Sequence, residues 1–259
     1  MKNYSLYFTN FIKDLTKSIL KTNCVKGANK TLPFIVLFIN ILPFLFIPIA
    51  SKSIIESNFS SLYLLILLPL TSIIIFFDSL MSKSNILCVY ALKYGMQAII
   101  FYLILFFTII SIGMNYHSLD LSIISLSHNS FSNFLLELPI MFLFFGFLVV
   151  YDNNLISEYA KQYSGVYYIV MKISSYTSPL KEVLLFVILF LNKSENPFNP
   201  AETHFMFFAL KVLLSYITLS ILKFNVPRLR ADQIIDLFSS KILFISIIWI
   251  ALKSIILFN

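Results

Sequence analysis

Residues 60–81 read SSLYLLILLPLTSIIIFFDSLM, and Asp78 is the only charged side chain among them. At a rise of about 1.5 Å per residue, a helix of this length crosses the roughly 30 Å hydrocarbon core of a bilayer. Apolar runs of similar length recur at 32–50, 86–114, 132–151, 165–191, 204–223 and 241–258. The sequence therefore predicts about seven membrane-spanning helices.

The composition excludes an ordinary soluble protein. Of the 259 residues, 59% are hydrophobic and only 12% are charged, whereas soluble domains carry about 25% charged residues. The apolar runs are also too long for the strands of an outer-membrane barrel, which alternate in polarity over about 10 residues. The predicted fold class is all-α, a polytopic helical membrane protein in which residues 32–259 form one bundle.

Residues 1–31 differ from the rest of the chain because charged side chains interrupt their apolar pattern. Apolar side chains recur at helical spacing over residues 4–22, with Asp14, Lys17 and Lys21 among them. Such a segment is too charged to span a bilayer, but it is typical of an amphipathic helix that lies in the interface plane. We expect an N-terminal interfacial helix followed by a basic linker.

The basic residues flank the spans, so the formal net charge of +7 reflects membrane topology and not the binding of nucleic acid. The opposite loops hold little beyond Lys52 and Lys193. By the positive-inside rule, the N-terminus and the turn at 225–233 lie on one face, which we call the inner face. The basic residues assigned to it are Lys13, Lys17, Lys21, Lys26, Lys30, Lys83, Lys93, Lys161, Lys223, Arg228 and Arg230.

The turn at 225–233, NVPRLRADQ, places Arg228, Arg230 and Asp232 between two segments that are almost purely apolar. Two explanations are open. The arginines anchor helix ends at the inner face, or the turn is a surface that docks a partner or lines a ligand path. Composition alone does not decide between them.

Ionisable groups inside the spans mark candidate functional positions, because a charge at mid-bilayer costs at least about 2.5 kcal/mol. Near Lys172 the span contains Pro179, which cannot donate a backbone hydrogen bond, so the pattern predicts a kink or a break in the helix. The alternative is a packing kink with a snorkelling lysine, in which Glu182 pairs locally with Ser178 or Lys181. The polar side chains that we select as candidates within the spans or at their ends are Lys93, Gln97, Asp152, Lys172, Lys181 and Glu182.

The sequence contains no self-contained active site. It has no glycine-rich phosphate loop and no HExxH motif, and Cys24 and Cys88 lack metal-ligand spacing. The histidines are not arranged for bis-histidine haem ligation. We therefore expect no metal site and no cofactor bound by this chain, and an enzymatic role requires partner subunits.

Four stretches, taken in order, resemble chain 1 of respiratory NADH:ubiquinone oxidoreductase, or complex I. Residues 82–102, SKSNILCVYALKYGMQAIIFY, align without gaps with the family's SNSKYALxGALRAxAQxISYE. VPRLRADQII at 226–235 is similar to YPRFRYDQLM, and KDLTKSILKT at 13–22 is similar to ADxxKLxxKE. QYSG at 162–165 resembles EYSG, and the matches keep their order over roughly residues 10–240.

The resemblance implies a membrane subunit that forms part of the ubiquinone access channel and of the junction between the peripheral and membrane arms. It implies ubiquinone as substrate, iron–sulfur clusters and FMN in partner subunits, and a place among the lipids of the mitochondrial inner membrane. The implied partners are quinone-site peripheral subunits and neighbouring membrane subunits. The positions implied at the channel and junction are Lys93, Gln97, Asp152, Glu158, Gln162, Arg228, Arg230 and Asp232. The side chains expected to border the channel from the interfacial helix and the predicted break are Asp14, Lys17, Lys21, Lys172, Tyr176 and Glu182.

This chain departs from the family where the family carries glutamates. The loop at 151–161 is shortened and keeps Asp152 and Glu158, while Lys93 replaces an arginine. Because proton relays in membranes depend on titratable groups or ordered water, we expect a weakened carboxylate route, with neighbouring subunits or water supplying the coupling. The residues that stand at aligned glutamate positions are Tyr102, Gln162 and Ser175.

The family also begins with a transmembrane helix and a segment similar to ERKxxGxxQxRxGPNxxG, and this chain starts after both. We expect a separate short chain to supply the first helix. Seven predicted spans agree with the family's eight minus one.

Two functions of other classes are alternatives. A stand-alone transporter or channel places Lys93, Lys172 and Glu182 on a substrate path, although transporters usually show internal repeats with paired broken helices. The second alternative is an assembly or scaffold membrane protein. That role would account for the missing glutamates, but it would not account for family motifs that occur in the same order. Comigration with NADH dehydrogenase activity in a native gel separates both alternatives from a complex I subunit.

Overall fold

The fold is known from a computed structural model that describes residues 30–48, 53–55, 57–81, 85–126, 131–150, 156, 159–161, 163, 165–191, 202–226, 233 and 236–258. The regular secondary structure of these residues is helical throughout, without any β-strand. The predicted interfacial helix, with Asp14, Lys17 and Lys21, lies outside the described residues.

The described residues form nine α-helices and two π-helical turns. The helices are α1 Leu32–Ile41, α2 Pro43–Phe46, α3 Ser60–Met81, α4 Asn85–Tyr116, α5 Leu121–Leu126, α6 Phe131–Val150, α7 Val166–Phe186, α8 Glu202–Asn225 and α9 Leu243–Phe258. The π-helical turns are Val187–Leu191, which continues α7, and Leu237–Ile242, which precedes α9.

Each of the seven predicted spans coincides with an apolar helical segment. Four described segments are long and apolar enough to cross a membrane: Ser60–Met81, Ala98–Tyr116, Val166–Leu191 and Met206–Asn225. Three are shorter apolar helices of 10–17 residues: Leu32–Phe46, Phe134–Val150 and Leu243–Ile256. The predicted class, an all-α polytopic membrane protein, is confirmed.

Prolines divide the first predicted span into two helices. Pro33 lies in the first turn of α1 and Pro43 begins α2, and both are positions where a missing backbone N–H is tolerated. The backbone N–H of Ile55 donates to the Leu45 carbonyl oxygen at 3.0 Å, which ties the following segment to α2.

The two ends of α3 meet different parts of the chain. At one end the backbone N–H of Ser61 donates to the Leu119 carbonyl oxygen at 3.2 Å. At the other end the Tyr159 hydroxyl donates to the Asp78 carboxylate. This arrangement agrees with spans that alternate in direction, as the charge pattern predicts.

Phenylalanine rings fill the centre of the bundle, and the chain has 28 Phe but only 5 Gly. Phe101 on α4 stacks on Phe147 of α6, with ring centroids 5.5 Å apart and planes at 19°. Phe144 on α6 lies parallel to Phe186 on α7 at 6.4 Å. All four rings are buried, so shape complementarity between aromatic faces joins α4, α6 and α7.

Two glycines are required by backbone geometry or by close packing. Gly165 precedes α7 with φ at 62°, a conformation that glycine adopts without a steric penalty. Gly95 on α4 faces α3, where a Cβ atom would lie 2.9 Å from the Phe76 ring. Gly165 is the glycine of the QYSG motif, and the backbone conformation required at the start of α7 explains why glycine occupies that position.

α7 lies at the centre of the fold, because every residue in 181–190 is buried. It packs against α1, α6, α8 and its own π-helical continuation. A helix buried on all sides is normally apolar all round, so the charged residues Lys181 and Glu182 within this stretch need an explanation.

The predicted break between Lys172 and Glu182 is wrong, because α7 runs continuously through Pro179, whereas the kink, which is the other form of this expectation, stays a prediction. Serine and threonine side chains and neighbouring helices satisfy the backbone groups that a proline leaves free in a membrane helix. The departure from α-helical geometry comes later, in the turn Val187–Leu191.

Candidate functional site

Lys181 lies in the interior of the bundle with 1% of its surface exposed. Its Nζ donates to Asn40 Oδ1 on α1 at 2.7 Å. It also donates to the Leu68 carbonyl oxygen and to Thr71 Oγ1 on α3, both at 3.3 Å. An ammonium group has three donors, and each has an acceptor here, so one side chain of α7 connects three helices.

Further polar groups surround this contact. Asn40 Nδ2 donates to the Ser174 carbonyl oxygen at 3.3 Å, and Ser178 Oγ donates to Glu182 Oε1 at 3.4 Å. The Ser174 hydroxyl has no hydrogen-bond partner among the described residues. We define the central polar cluster by these buried residues: Asn40, Thr71, Ser174, Ser178, Lys181 and Glu182.

Four of these side chains lie on the same face of α7 because of their helical spacing. Ser174, Ser178, Lys181 and Glu182 occupy positions i, i+4, i+7 and i+8, which is the spacing of a single helix face. The alternative prediction of a local pair between Ser178 and Glu182 is confirmed by their hydrogen bond.

Lys172 and Tyr176 lie on another face of α7. Lys172 Nζ is 5.7 Å from the centroid of the Tyr176 ring, and 52% of the Tyr176 side chain is exposed. Glu182 is buried in the central polar cluster. The three residues assigned to the predicted break therefore do not form one site.

A second buried lysine joins α9 to the bundle. Lys253 donates to the Ser111 carbonyl oxygen at 2.5 Å and to Ser111 Oγ at 2.8 Å, both on α4. The buried Glu137 carboxylate on α6 interacts electrostatically with Lys253 and accepts a hydrogen bond from Asn115 Nδ2 at 2.7 Å. We call Ser111, Asn115, Glu137 and Lys253 the peripheral polar cluster.

A third group, the inner tyrosine cluster, consists of Asp78, Tyr159 and Tyr163. The two tyrosine rings are buried, with centroids 5.9 Å apart. Burial, followed by the hydrogen bond to Asp78, raises the pKa of Tyr159, and burial raises the pKa of Tyr163 to about 12. Both phenols therefore stay protonated at neutral pH. The apolar side chains packed around them are Leu32, Val36, Ile75, Ile156, Ala160 and Met171.

Most residues that the resemblance places at the channel and junction lie outside the described part of the chain. Lys93 and Gln97 belong to α4, four residues apart, which is the spacing of one helix face, but the structure describes their backbone alone. Tyr102 is 40% exposed, while the buried Ser175 donates to the Lys172 carbonyl oxygen at 2.7 Å. The following predicted residues lie outside the described part of the chain: Asp152, Glu158, Gln162, Arg228, Arg230 and Asp232.

Sequence reasoning missed several of the residues that the fold brings together. Glu137 is the single charge within the apolar run 132–151, and Lys253 is the only charge in the run 241–258 apart from Lys241 at its first position. The cost of a charge in a membrane interior would have singled them out. Asn40 and Thr71 carry no charge, so no comparable signal marks them. Only their contact with Lys181 identifies them as part of a site.

The described side chains are suited to proton exchange and to hydrogen bonding. A buried lysine and a buried glutamate occur together in each of two clusters, and two tyrosines occur in a third. In the part of the chain that the structure describes, no three His, Cys, Asp or Glu side chains come together as a metal site.

Comparison with known proteins agrees with the motifs found in the sequence. A family model described as NADH dehydrogenase matches residues 5–254. An NADH-quinone oxidoreductase subunit of the bacterium Parvibaculum lavamentivorans is 25% identical over 262 residues, covering 93% of this chain and 78% of the relative. The chain therefore belongs to the NADH dehydrogenase family, the family of complex I chain 1 that its motifs resemble.

Proposed function

We infer that this chain is the membrane subunit of NADH:ubiquinone oxidoreductase that borders the ubiquinone access channel and joins the peripheral arm to the membrane arm. Family membership supports its place as a multi-pass subunit of an NADH-quinone oxidoreductase. The inner tyrosine cluster is the observation that carries the finer assignment to the quinone channel.

The chemistry of a quinone matches this cluster. A ubiquinone is mainly hydrocarbon with two carbonyl acceptors, so its passage needs apolar walls and a few hydrogen-bond donors. Around Tyr159 and Tyr163 the walls are aliphatic side chains of α1, α3 and α7. The Tyr163 hydroxyl is a hydrogen-bond donor, and its neighbour Tyr159 is held in place by its own bond to the Asp78 carboxylate. Tyr163 also belongs to the QYSG motif of the family resemblance.

The rest of the proposed machinery lies on the inner face. We assign Arg228, Arg230 and Asp232 to a turn that docks the peripheral arm, whose iron–sulfur clusters and FMN bring the electrons. Lys93 and Gln97 on α4 belong to the same proposed face, together with Asp152, Glu158 and Gln162. The proposed location is the mitochondrial inner membrane, among the other complex I subunits.

A photoreactive ubiquinone analogue tests this proposal in the purified complex. We expect covalent label on this chain, within the peptide that contains residues 156–171, and loss of that label when excess ubiquinone competes. The Tyr163→Phe variant should raise the KM for ubiquinone, because it removes a hydroxyl donor near the headgroup path.

Tyr216→Phe is the matched control, since that tyrosine lies on the exposed face of α8. Its KM for ubiquinone should equal that of the unmodified complex. Label found only on other subunits, or a chain that does not comigrate with NADH dehydrogenase activity in a native gel, would contradict the proposal.

A further inference from the structure

We propose that a pocket between the start of α3 and the end of α4 binds the headgroup of a phosphatidylethanolamine lipid. This outer pocket lies at the opposite end of α3 from the inner tyrosine cluster, so the proposal is independent of the quinone-channel assignment. The side chains that define its chemistry are Asn58, Phe59, His117, Ser118, Asp120 and Ile123.

The size and position of the outer pocket suit a lipid headgroup. Its volume is about 400 Å³, which is within the usual range of small-molecule sites. It lies where α3 begins at Ser60 and α4 ends at Tyr116, and the ends of spanning helices meet the headgroup region of a bilayer. Phe59 and Ile123 are 55% and 49% exposed, so apolar surface is available for the lipid carbons next to the headgroup.

The charge of the pocket favours a cation. Among the described residues that line it, Asp120 is the only carboxylate, and none is a lysine or an arginine. Asp120 Oδ1 accepts from Ser60 Oγ at 3.2 Å and from the backbone N–H of Ser122 at 3.0 Å. A carboxylate has about four lone-pair positions, so it has capacity for an ammonium group as well. A purely anionic headgroup would find no basic side chain here.

The segment that carries Asp120 is fixed by the first residues of α3. The backbone N–H and Oγ of Ser61 both donate to the Leu119 carbonyl oxygen, at 3.2 and 2.6 Å. The backbone N–H of Leu121 donates to Ser60 Oγ at 2.8 Å. A site whose backbone is already held loses less conformational entropy when a ligand binds. The carboxylate is therefore in place before the lipid arrives.

Ser118 supplies a second, independent observation. Its hydroxyl oxygen lines the pocket region without solvent contact and has no hydrogen-bond partner among the described residues. Buried polar atoms in proteins nearly always have a partner, and a hydroxyl oxygen accepts from an N–H donor. Water satisfies such a hydroxyl too, but water is present whichever headgroup is supplied. A difference between headgroups therefore identifies the ligand.

His117 adds a donor to the pocket wall at a steric cost. It is the first residue after α4 and has φ at 50°, a conformation that glycine usually supplies after a helix without penalty. Histidine at this position places an imidazole on the wall of the pocket. An imidazole N–H and the amide of Asn58 are donors for phosphate oxygens. The pocket thus offers acceptors for an ammonium and donors for a phosphate.

The same groups discriminate ethanolamine from choline. A primary ammonium has N–H donors for Asp120 and Ser118, whereas the quaternary ammonium of choline has none. Proteins hold quaternary ammonium groups in cages of aromatic rings. Of the described lining residues, Phe59 is the only Phe, Tyr or Trp. Phosphatidylethanolamine is therefore preferred over phosphatidylcholine, although the two lipids carry the same phosphate.

The test uses the purified complex in nanodiscs of phosphatidylcholine with increasing fractions of phosphatidylethanolamine. Hydrogen–deuterium exchange is measured on the peptide that covers residues 113–123. We expect protection to grow with the fraction of phosphatidylethanolamine. The fraction that gives half-maximal protection should rise when the monomethyl and then the dimethyl lipid is used, because each methyl group removes one N–H donor.

Two variants connect this protection to the pocket. Asp120→Asn keeps the oxygen that accepts from Ser60 and Ser122 but removes the charge, so the half-maximal fraction should rise about tenfold. His117→Gly relieves the backbone and removes the imidazole, so it should also raise that fraction, whereas a purely structural role for His117 predicts no change. Asp236→Asn is the matched control, since it removes the same charge from an exposed residue on the inner side. It should leave the fraction unchanged.

Equal protection in phosphatidylcholine alone and in mixtures with phosphatidylethanolamine would overturn the proposal. So would an unchanged half-maximal fraction in Asp120→Asn complexes that assemble normally. If that variant does not assemble, His117→Gly decides the question, and an unchanged fraction again overturns the proposal. Soluble phosphoethanolamine is the final comparison. If it protected the peptide as well as the lipid does, the assignment to a membrane lipid would be wrong.

Discussion

The central and peripheral polar clusters contain the same two residue types in different settings. Lys181 donates to three oxygens on α1 and α3, and it lies in a stretch of α7 whose residues are all buried. Lys253 donates to two oxygens of a single residue, Ser111, and its neighbours on α9 include the exposed side chains of Leu252 and Ile255. Burial of the ammonium group is nearly complete in both.

The difference shows that burial of a charge does not by itself define its role. Lys253 helps to attach a peripheral helix to the bundle, because it bonds to Ser111 on α4 while many side chains of α9 are exposed. Lys181 lies on a central helix that α1, α6 and α8 already enclose. A charge that is not needed to attach its helix is better explained by function, since its cost within a membrane must be offset by some gain.

The largest expected effect comes from breaking the peripheral cluster. Lys253→Met removes two hydrogen bonds to Ser111 and the positive charge that interacts with the buried Glu137 carboxylate, and the loss of one charge from such a buried cluster costs roughly 3–5 kcal/mol. We expect a large drop in the midpoint of thermal dissociation of the purified complex. The double variant Lys253→Met, Glu137→Gln should recover much of that drop. Equal midpoints for the single and double variants would show that the two residues do not act as a pair.

A smaller loss is expected from Asn40→Leu in the central cluster. It removes one acceptor from Lys181 and the donor to the Ser174 carbonyl oxygen, while Leu68 and Thr71 still accept from the ammonium. Loss of one partner of a buried polar group costs about 1–3 kcal/mol. The same thermal measurement checks this, with Ser72→Ala as control because the Ser72 hydroxyl bonds within its own helix to Pro69. If the thermal dissociation midpoint of Asn40→Leu were as low as that of Lys253→Met, the two clusters would not differ in their contribution to stability.

The smallest effect is predicted for Trp249→Phe on α9. Trp249 Nε1 donates to the Leu136 carbonyl oxygen on α6 at 3.1 Å, and the loss of one such bond costs about 0.5–1.5 kcal/mol. Combined with Lys253→Met, it should destabilise the attachment of α9 further. The rate of cleavage near the C-terminal end in limited proteolysis measures this loss of attachment. Resistance equal to that of the unmodified protein would mean that other contacts hold α9.

Prediction from the sequence was accurate for the fold and uneven for the site. The seven apolar runs became helices because a bilayer requires both sufficient length and internal hydrogen bonding. The rule that charges within spans mark candidate positions selected Lys181 and Glu182, which lie buried in the central polar cluster. The break expected at Pro179 did not form, because proline in a membrane helix can be accommodated by neighbouring side chains and helices.

The amino-acid sequence alone determined that this protein is a helical membrane protein, and its motifs identified the family that the comparisons confirm. These properties follow from the length and order of local segments. Only the tertiary structure placed Asn40 and Thr71 against Lys181, and Ser111 against Lys253. Those contacts join residues more than a hundred positions apart, and no periodicity within one segment can encode which helices will be neighbours.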